Sequence, residues 1–128
     1  MDTRFEEQRE QFLRAIERLR EALAENENDL IRDAVIQRFE FTFEMAWRVL
    51  FRLLTARGER VAQQSSAVLQ TAFTALLLDD PVLWDRIRIA RNQTSHTYDE
   101  AKAIEVAAMI RADALAAFDS LAGKLRAP

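Results

Sequence analysis

One histidine and one tyrosine occur in this chain. They stand two residues apart behind an arginine, in Arg91-Asn92-Gln93-Thr94-Ser95-His96-Thr97-Tyr98. Imidazoles as a class exchange protons near neutrality. A guanidinium grips phosphoryl oxygens through two parallel N–H groups. On an unbroken helix, at about 100° per residue, Arg91 and Tyr98 would share a face while His96 pointed away from both. A break near Gln93, with a new helix starting near Tyr98, brings the three together more easily. Thr97-Tyr98-Asp99-Glu100 supports that break, because it reads as a capping box with Thr97 as N-cap and Glu100 at N3. His96 then lies just outside a helix N-terminus, where amide N–H groups and the helix dipole favour an anion. A cation, a base and a phenol beside an anion site point to phosphate chemistry.

RNA cleavage is the phosphate reaction that asks least of a protein. The substrate's own 2′-OH attacks the adjacent phosphorus, so only proton transfer and charge stabilisation must be supplied. His96 suits the first role and Arg91 the second. Acid and base catalysis by separate groups would want two histidines, and a symmetric dimer would provide both. Asn92, Ser95, Thr97 and Asp99 are candidates for supporting or phosphate-binding roles. Each of these residues also has a plainer reading: His96 as a surface or capping group, Tyr98 as an interfacial aromatic, Arg91 as an ion-pair partner of Asp99 or Glu100, Asn92 and Ser95 as turn formers. Other chemistries find less support. With one His and no Cys, no metal-ligand set is recognisable and no metal is expected. No Gly-rich phosphate loop marks the chain as a nucleotidyltransferase itself, and Ser95-His96 lacks the setting of a nucleophile elbow. No cofactor is called for.

Arg-x4-His-x-Tyr at the start of a late helix resembles the signature of the HEPN superfamily. The run Arg91 to Glu100 is similar to its nucleotidyltransferase substrate-binding branch, which includes HepT-like toxins. A second block, Arg38-Phe39-Glu40-Phe41-Thr42-Phe43-Glu44-Met45-Ala46-Trp47-Arg48, matches upstream at a fitting distance. The resemblance implies a helical bundle, a homodimer, and Arg91 with His96 as a metal-independent ribonuclease pair. It also implies a minimal nucleotidyltransferase as antitoxin-like partner, which silences the toxin by adding AMP to Tyr98. An alternative within the same branch is an inert subunit that binds a nucleotide phosphate substrate for that enzyme. Glu40, Glu44 and Trp47 read more readily as scaffold. Two positions depart from the branch: Gln63-Gln64-Ser65-Ser66 stands where a Ser-Pro pair is common, and Ala90 stands where some members carry an acid.

The elements that must position the motif are all helices. Phe5, Phe12, Ile16, Leu19 and Leu23 recur at helical spacing and predict a first helix from Thr3 to Ala24. Asn28 or Asp29 can cap a second, from Leu30 to Ala56, stopped by Gly58. Its apolar arc is broad, with Glu40, Glu44 and Arg48 as a narrow charged row opposite. Such a helix is either the centre of a bundle or part of an oligomer interface. A third helix is predicted over Ser66 to Leu78, with Val68, Leu69, Ala72, Phe73, Leu76 and Leu77 inward. Asp80 followed by Pro81 starts a fourth, which runs to the motif. The fifth runs from Tyr98 to about Lys124, with Ala103, Ala107, Ile110, Ala114, Phe118, Leu121 and Leu125 inward. The expected architecture is an all-α antiparallel bundle of four to five helices.

Composition sets the bounds. At 128 residues and 49% hydrophobic content, a single domain over residues 1–128 can bury a real core. Only two glycines and two prolines favour long helices with short connections. A net charge of −3 argues against a sequence-independent nucleic-acid coat, though not against a small local site. Arg86 and Arg88, ahead of Arg91, read mainly as solvated side chains. The N-terminal stretch has no apolar signal region and no apolar run could span a bilayer, so a cytoplasmic protein with no membrane contact is expected.

Overall fold

The computed structural model describes residues 3–126. Its helices are α1 (Thr3–Ala24), α2 (Asp29–Ala56), α3 (Ser65–Thr74), α4 (Pro81–Gln93), a 3₁₀ turn (Thr94–His96), α5 (Glu100–Met109) and α6 (Leu115–Arg126). A π turn over Ile110–Ala114 joins α5 to α6, so the two form one unbroken rod. Among the described residues there is no strand. The expected all-α bundle of five helical rods is what forms.

α1 and α2 pack antiparallel. Arg38 donates to the carbonyl of Arg18 at 2.6 Å. Thr42, fully buried, donates to Arg38 O of its own helix at 2.7 Å and lies 3.2 Å from Ala15 O. The final rod returns antiparallel to α1: Arg111 donates to Leu23 O, Arg20 to Asp119 and Arg9 to Leu125 O. α2 packs against α1, α3, α4 and α5, so most of its broad apolar arc is covered inside the bundle. Phe41 of α2 stays exposed. At the centre, the Phe118 ring of α6 meets Phe12 of α1 at 6.2 Å, Phe39 of α2 at 6.1 Å and Trp84 of α4 at 5.8 Å between centroids. One aromatic side chain thus joins four helices.

Two helix ends use the same device. After α2, Glu59 N–H bonds to Leu54 O and Gly58 N–H to Thr55 O, with Gly58 at φ 87°. After α3, Leu77 N–H bonds to Ala72 O and Leu76 N–H to Phe73 O, with Leu76 at φ 63°. Both are Schellman motifs. The second ends α3 at Thr74, so the predicted extension to Leu78 is wrong, and Leu76 and Phe73 point outward while Leu77 stays buried. Lys124 reaches back from α6 to Asp79 and to Leu76 O, pinning the α3–α4 connection.

In the final rod the predicted inward residues are all buried. Ala103, Ala107, Ile110, Ala114, Phe118 and Ala122 advance mostly in steps of four, which in a regular α-helix would drift by about 40° each. The π turn absorbs that drift and keeps the stripe on the core.

Candidate functional site

α4 ends at Gln93, as the motif required. Asp80 accepts from Leu83 N–H and Pro81 occupies the first turn. Trp84, Ile87 and Ala90 face the core, which places Arg91 at the edge of the buried face. The guanidinium turns toward α2. Nη1 lies 3.6 Å from Glu40 Oε2, and Nε lies 3.6 Å from Glu44 Oε1. Nη1 also donates to Thr94 Oγ1 at 3.1 Å, while that hydroxyl donates to the carbonyl of Arg91 at 2.7 Å. Glu44 is itself held by Trp47 Nε1 at 3.0 Å, and Arg48 approaches it to 4.0 Å. Arg91 therefore pairs with Glu40 and Glu44, not with Asp99 or Glu100. Its Nε is buried with no hydrogen bond of good geometry, so the clamp is electrostatic more than directional.

His96 and Tyr98 lie on the turn beyond. Their rings are 6.1 Å apart, edge to face at 68°, and Tyr98 is 86% exposed. Arg91 makes no hydrogen bond or ion pair with either ring among the described residues. The motif thus divides into an exposed His96–Tyr98 pair and an anchored Arg91.

The capping box does not form. Thr97 Oγ1 donates to Thr94 O at 3.0 Å, and the amide cap of α5 comes from another residue. Asp99 is the N-cap and accepts from Ala101 N–H at 3.0 Å. An ionised Asp at an N-cap satisfies an orphan amide more strongly than a hydroxyl does. This moves the helix start from Tyr98 to Glu100 and leaves Tyr98 in the turn. Ser95 donates to Asn92 O at 3.1 Å, so Ser95 and Thr97 tie down the turn, while the Asn92 side chain is exposed. The basic cluster ahead of the motif is neutralised: Arg86 pairs with Asp113 and Arg88 with Asp85, both at 2.9 Å.

A protein-family model described as "Nucleotidyltransferase substrate binding protein like" matches residues 7–127. The chain belongs to this family. It is HEPN-like, and the family's description implies a nucleotidyltransferase as partner. A probable ribonuclease HepT of Haemophilus influenzae is 34% identical over 86 residues. The aligned stretch covers 64% of this chain and 59% of that relative's length. A crystal structure from Thermus thermophilus superposes with a TM-score of 0.80 at 31% identity, covering 90% of this chain and 98% of that one. No helix among the described residues is long and apolar enough to cross a membrane.

Proposed function

We propose that this family member is the toxin-like half of a two-component system, a ribonuclease of the HepT type that works as a homodimer and needs no metal. The observation that carries this reading is the His96–Tyr98 pair, a base and a phenol held edge to face on an exposed turn where neither serves the core. In the reaction, His96 of one copy takes the proton of the 2′-OH. The 2′-oxygen bonds to phosphorus and the bond from phosphorus to the 5′-oxygen breaks. The second copy's imidazolium returns a proton to that leaving oxygen, giving a 2′,3′-cyclic phosphate and a 5′-hydroxyl. Arg91 faces the charge that builds on the phosphoryl oxygens, and Asn92, Ser95, Thr97 and Asp99 hold or line the turn. Ile89 and Ile104, exposed near the motif, suit a face that meets a second copy.

The exposure of Tyr98 supports a second part of the reading, that the partner nucleotidyltransferase transfers AMP to its phenol. The added phosphate would crowd His96 and repel RNA. One observation favours the alternative of an inert substrate-binding subunit: Arg91 is already clamped by two carboxylates. Metal-free cleavage of RNA by the purified chain decides between them. His96→Ala is expected to abolish cleavage. Tyr98→Phe is expected to keep cleavage and to lose the mass increase of AMP on incubation with the partner and ATP. A folded, unmodified wild-type dimer that leaves RNA intact refutes the ribonuclease and leaves the substrate-binding subunit.

A further inference from the structure

Two polar residues are buried among the described residues, Thr42 and Thr94. The hydroxyl of Thr42 bonds only to backbone carbonyls, those of Arg38 and Ala15. Thr94 differs. Its hydroxyl donates to Arg91 O at 2.7 Å and accepts from Arg91 Nη1 at 3.1 Å. A hydroxyl has one proton to give. With that proton on the carbonyl, Thr94 Oγ1 meets the guanidinium as an acceptor, and at 7% exposure the side chain has little room to turn away. The carbonyl does not depend on this bond, because it also accepts from the Thr94 N–H. What does depend on the hydroxyl is its contact with Arg91.

Arg91 depends on that contact in turn. Glu40 and Glu44 stand 3.6 Å from its nitrogens, close enough to balance charge but too far to fix direction. The bond to Thr94 is the one side-chain hydrogen bond that Arg91 makes among the described residues. A guanidinium is planar, so holding Nη1 sets the direction of the whole fork. Nε is shut away from solvent. Nη2 makes no hydrogen bond among the described residues and is not shut away, on a side chain that is 30% exposed. Thr94 also opens the 3₁₀ turn Thr94–His96, and its carbonyl accepts from Thr97 Oγ1 at 3.0 Å. One residue thus ties the Arg91 guanidinium to the turn that carries His96. We infer that Thr94 is a positioning residue, whose hydroxyl aims Arg91 so that Nη2 meets a phosphoryl oxygen in register with His96. The inference rests on the proposed function for that phosphate, whether it belongs to RNA that is cut or to a nucleotide that is only bound. A threonine that merely bonds back to its own helix would need no partner beyond the carbonyl.

Thr94→Val keeps the shape and removes the hydroxyl, while Thr94→Ser returns the hydroxyl without the methyl. Nitrogen-15 NMR of the Arg91 guanidinium reads the hold directly, in the full chain carrying His96→Ala so that nothing is cut. With Thr94 present, Nη1 and Nη2 should give separate signals, because the hydrogen bond slows rotation about the Nε–Cζ bond. Adding a short single-stranded RNA should shift the Nη2 signal. Thr94→Val should merge the two signals and weaken the shift, and Thr94→Ser should restore both. Thr94→Ala deletes the hydroxyl without filling its place and should merge the signals as the valine does. Cleavage is scored separately with His96 intact. There kcat should fall at least about tenfold in Thr94→Val. KM should move by less than about twofold, since a misaimed guanidinium costs the transition state more than the bound substrate. Merged signals in the parent overturn the positioning role, as do separate signals that survive both deletions. So does a serine variant that behaves like the valine, which would leave Thr94 as packing alone, or a cleavage loss that lies in KM alone. Absence of cleavage by the wild-type chain removes the ribonuclease reading, and the guanidinium signals then decide the role of Thr94 on their own.

Discussion

Arg91 is the residue whose state the sequence concealed. Its place in Arg-x4-His-x-Tyr suggested a cation facing phosphate, yet its nearest charges are Glu40 and Glu44, some fifty positions earlier in the chain. No local pattern could reveal that pairing, because it depends on where α4 crosses α2. The second matching block held the clue, since Glu40, Glu44 and Trp47 all stand in it; only the fold gives them one task. His96 and Tyr98 were legible because their neighbours in sequence are also their neighbours in space. The clamp has a consequence for binding. A carboxylate 3.6 Å away competes with phosphate for the guanidinium, and at a partly exposed site such a pair is worth up to about 1 kcal/mol. Glu44→Gln removes the charge yet still offers Trp47 Nε1 an oxygen. RNA affinity measured in the His96→Ala background is therefore expected to rise, by up to about fivefold. A weaker affinity would mean that Glu44 holds Arg91 in its binding pose instead of competing for it.

Helices were readable where their boundary residues obey the chemistry of caps. Asn28, Asp80 and Gly58 each end or begin a helix as their types demand. The errors fall where another residue does the same work. Leu76 adopts φ 63° at the position Gly58 occupies after α2, so α3 stops without a glycine to announce it. Its side chain is 80% exposed and gains little for a backbone cost of about 1–2 kcal/mol. Leu76→Gly is expected to raise the free energy of unfolding by about 1 kcal/mol, after the loss of chain entropy that glycine brings, as read from urea denaturation. A destabilised variant would mean that the Leu76 side chain makes contacts that outweigh the strain. The same connection carries a pH signature. The hydrogen bond from Lys124, with its charge, holds the Asp79 carboxyl below its ordinary value of 3.8. A carboxyl lowered in the folded state stabilises the fold above its unfolded value, and that stabilisation fades as pH falls through the folded value. Asp79→Asn should therefore flatten the acid limb of the stability curve below about pH 4 and weaken the fold at neutral pH. An acid limb of unchanged steepness would mean that the contact with Lys124 contributes nothing to folding.

At the scale of the whole molecule, helix number and most inward faces were legible, Phe73 and Leu76 excepted, while the use of α2 was not. Its broad apolar arc allowed either a bundle centre or an outer interface, and packing on α1, α3, α4 and α5 decides for the centre. Periodicity cannot make that choice, because it records how much of a helix is apolar and not what covers it. The proposed chemistry needs a second copy at the motif face. One histidine per chain cannot serve as both base and acid in a single step, so the monomer should be nearly inactive. Cleavage per chain is accordingly expected to fall as the protein is diluted through its dimer dissociation constant, with the rate following the square of total concentration well below it and growing linearly well above it. The sedimentation coefficient should change over the same range, since both report one equilibrium. Replacing Ile89 or Ile104 with Glu should move both transitions to higher protein concentration together, because a buried charge opposes association. A cleavage rate that stays proportional to concentration throughout the monomer range would place acid and base within one chain. His96 would then need a second proton-transfer group on the same turn, and Tyr98, 6.1 Å away between ring centres, is the side chain placed to be it. In that event Tyr98→Phe would abolish cleavage instead of sparing it.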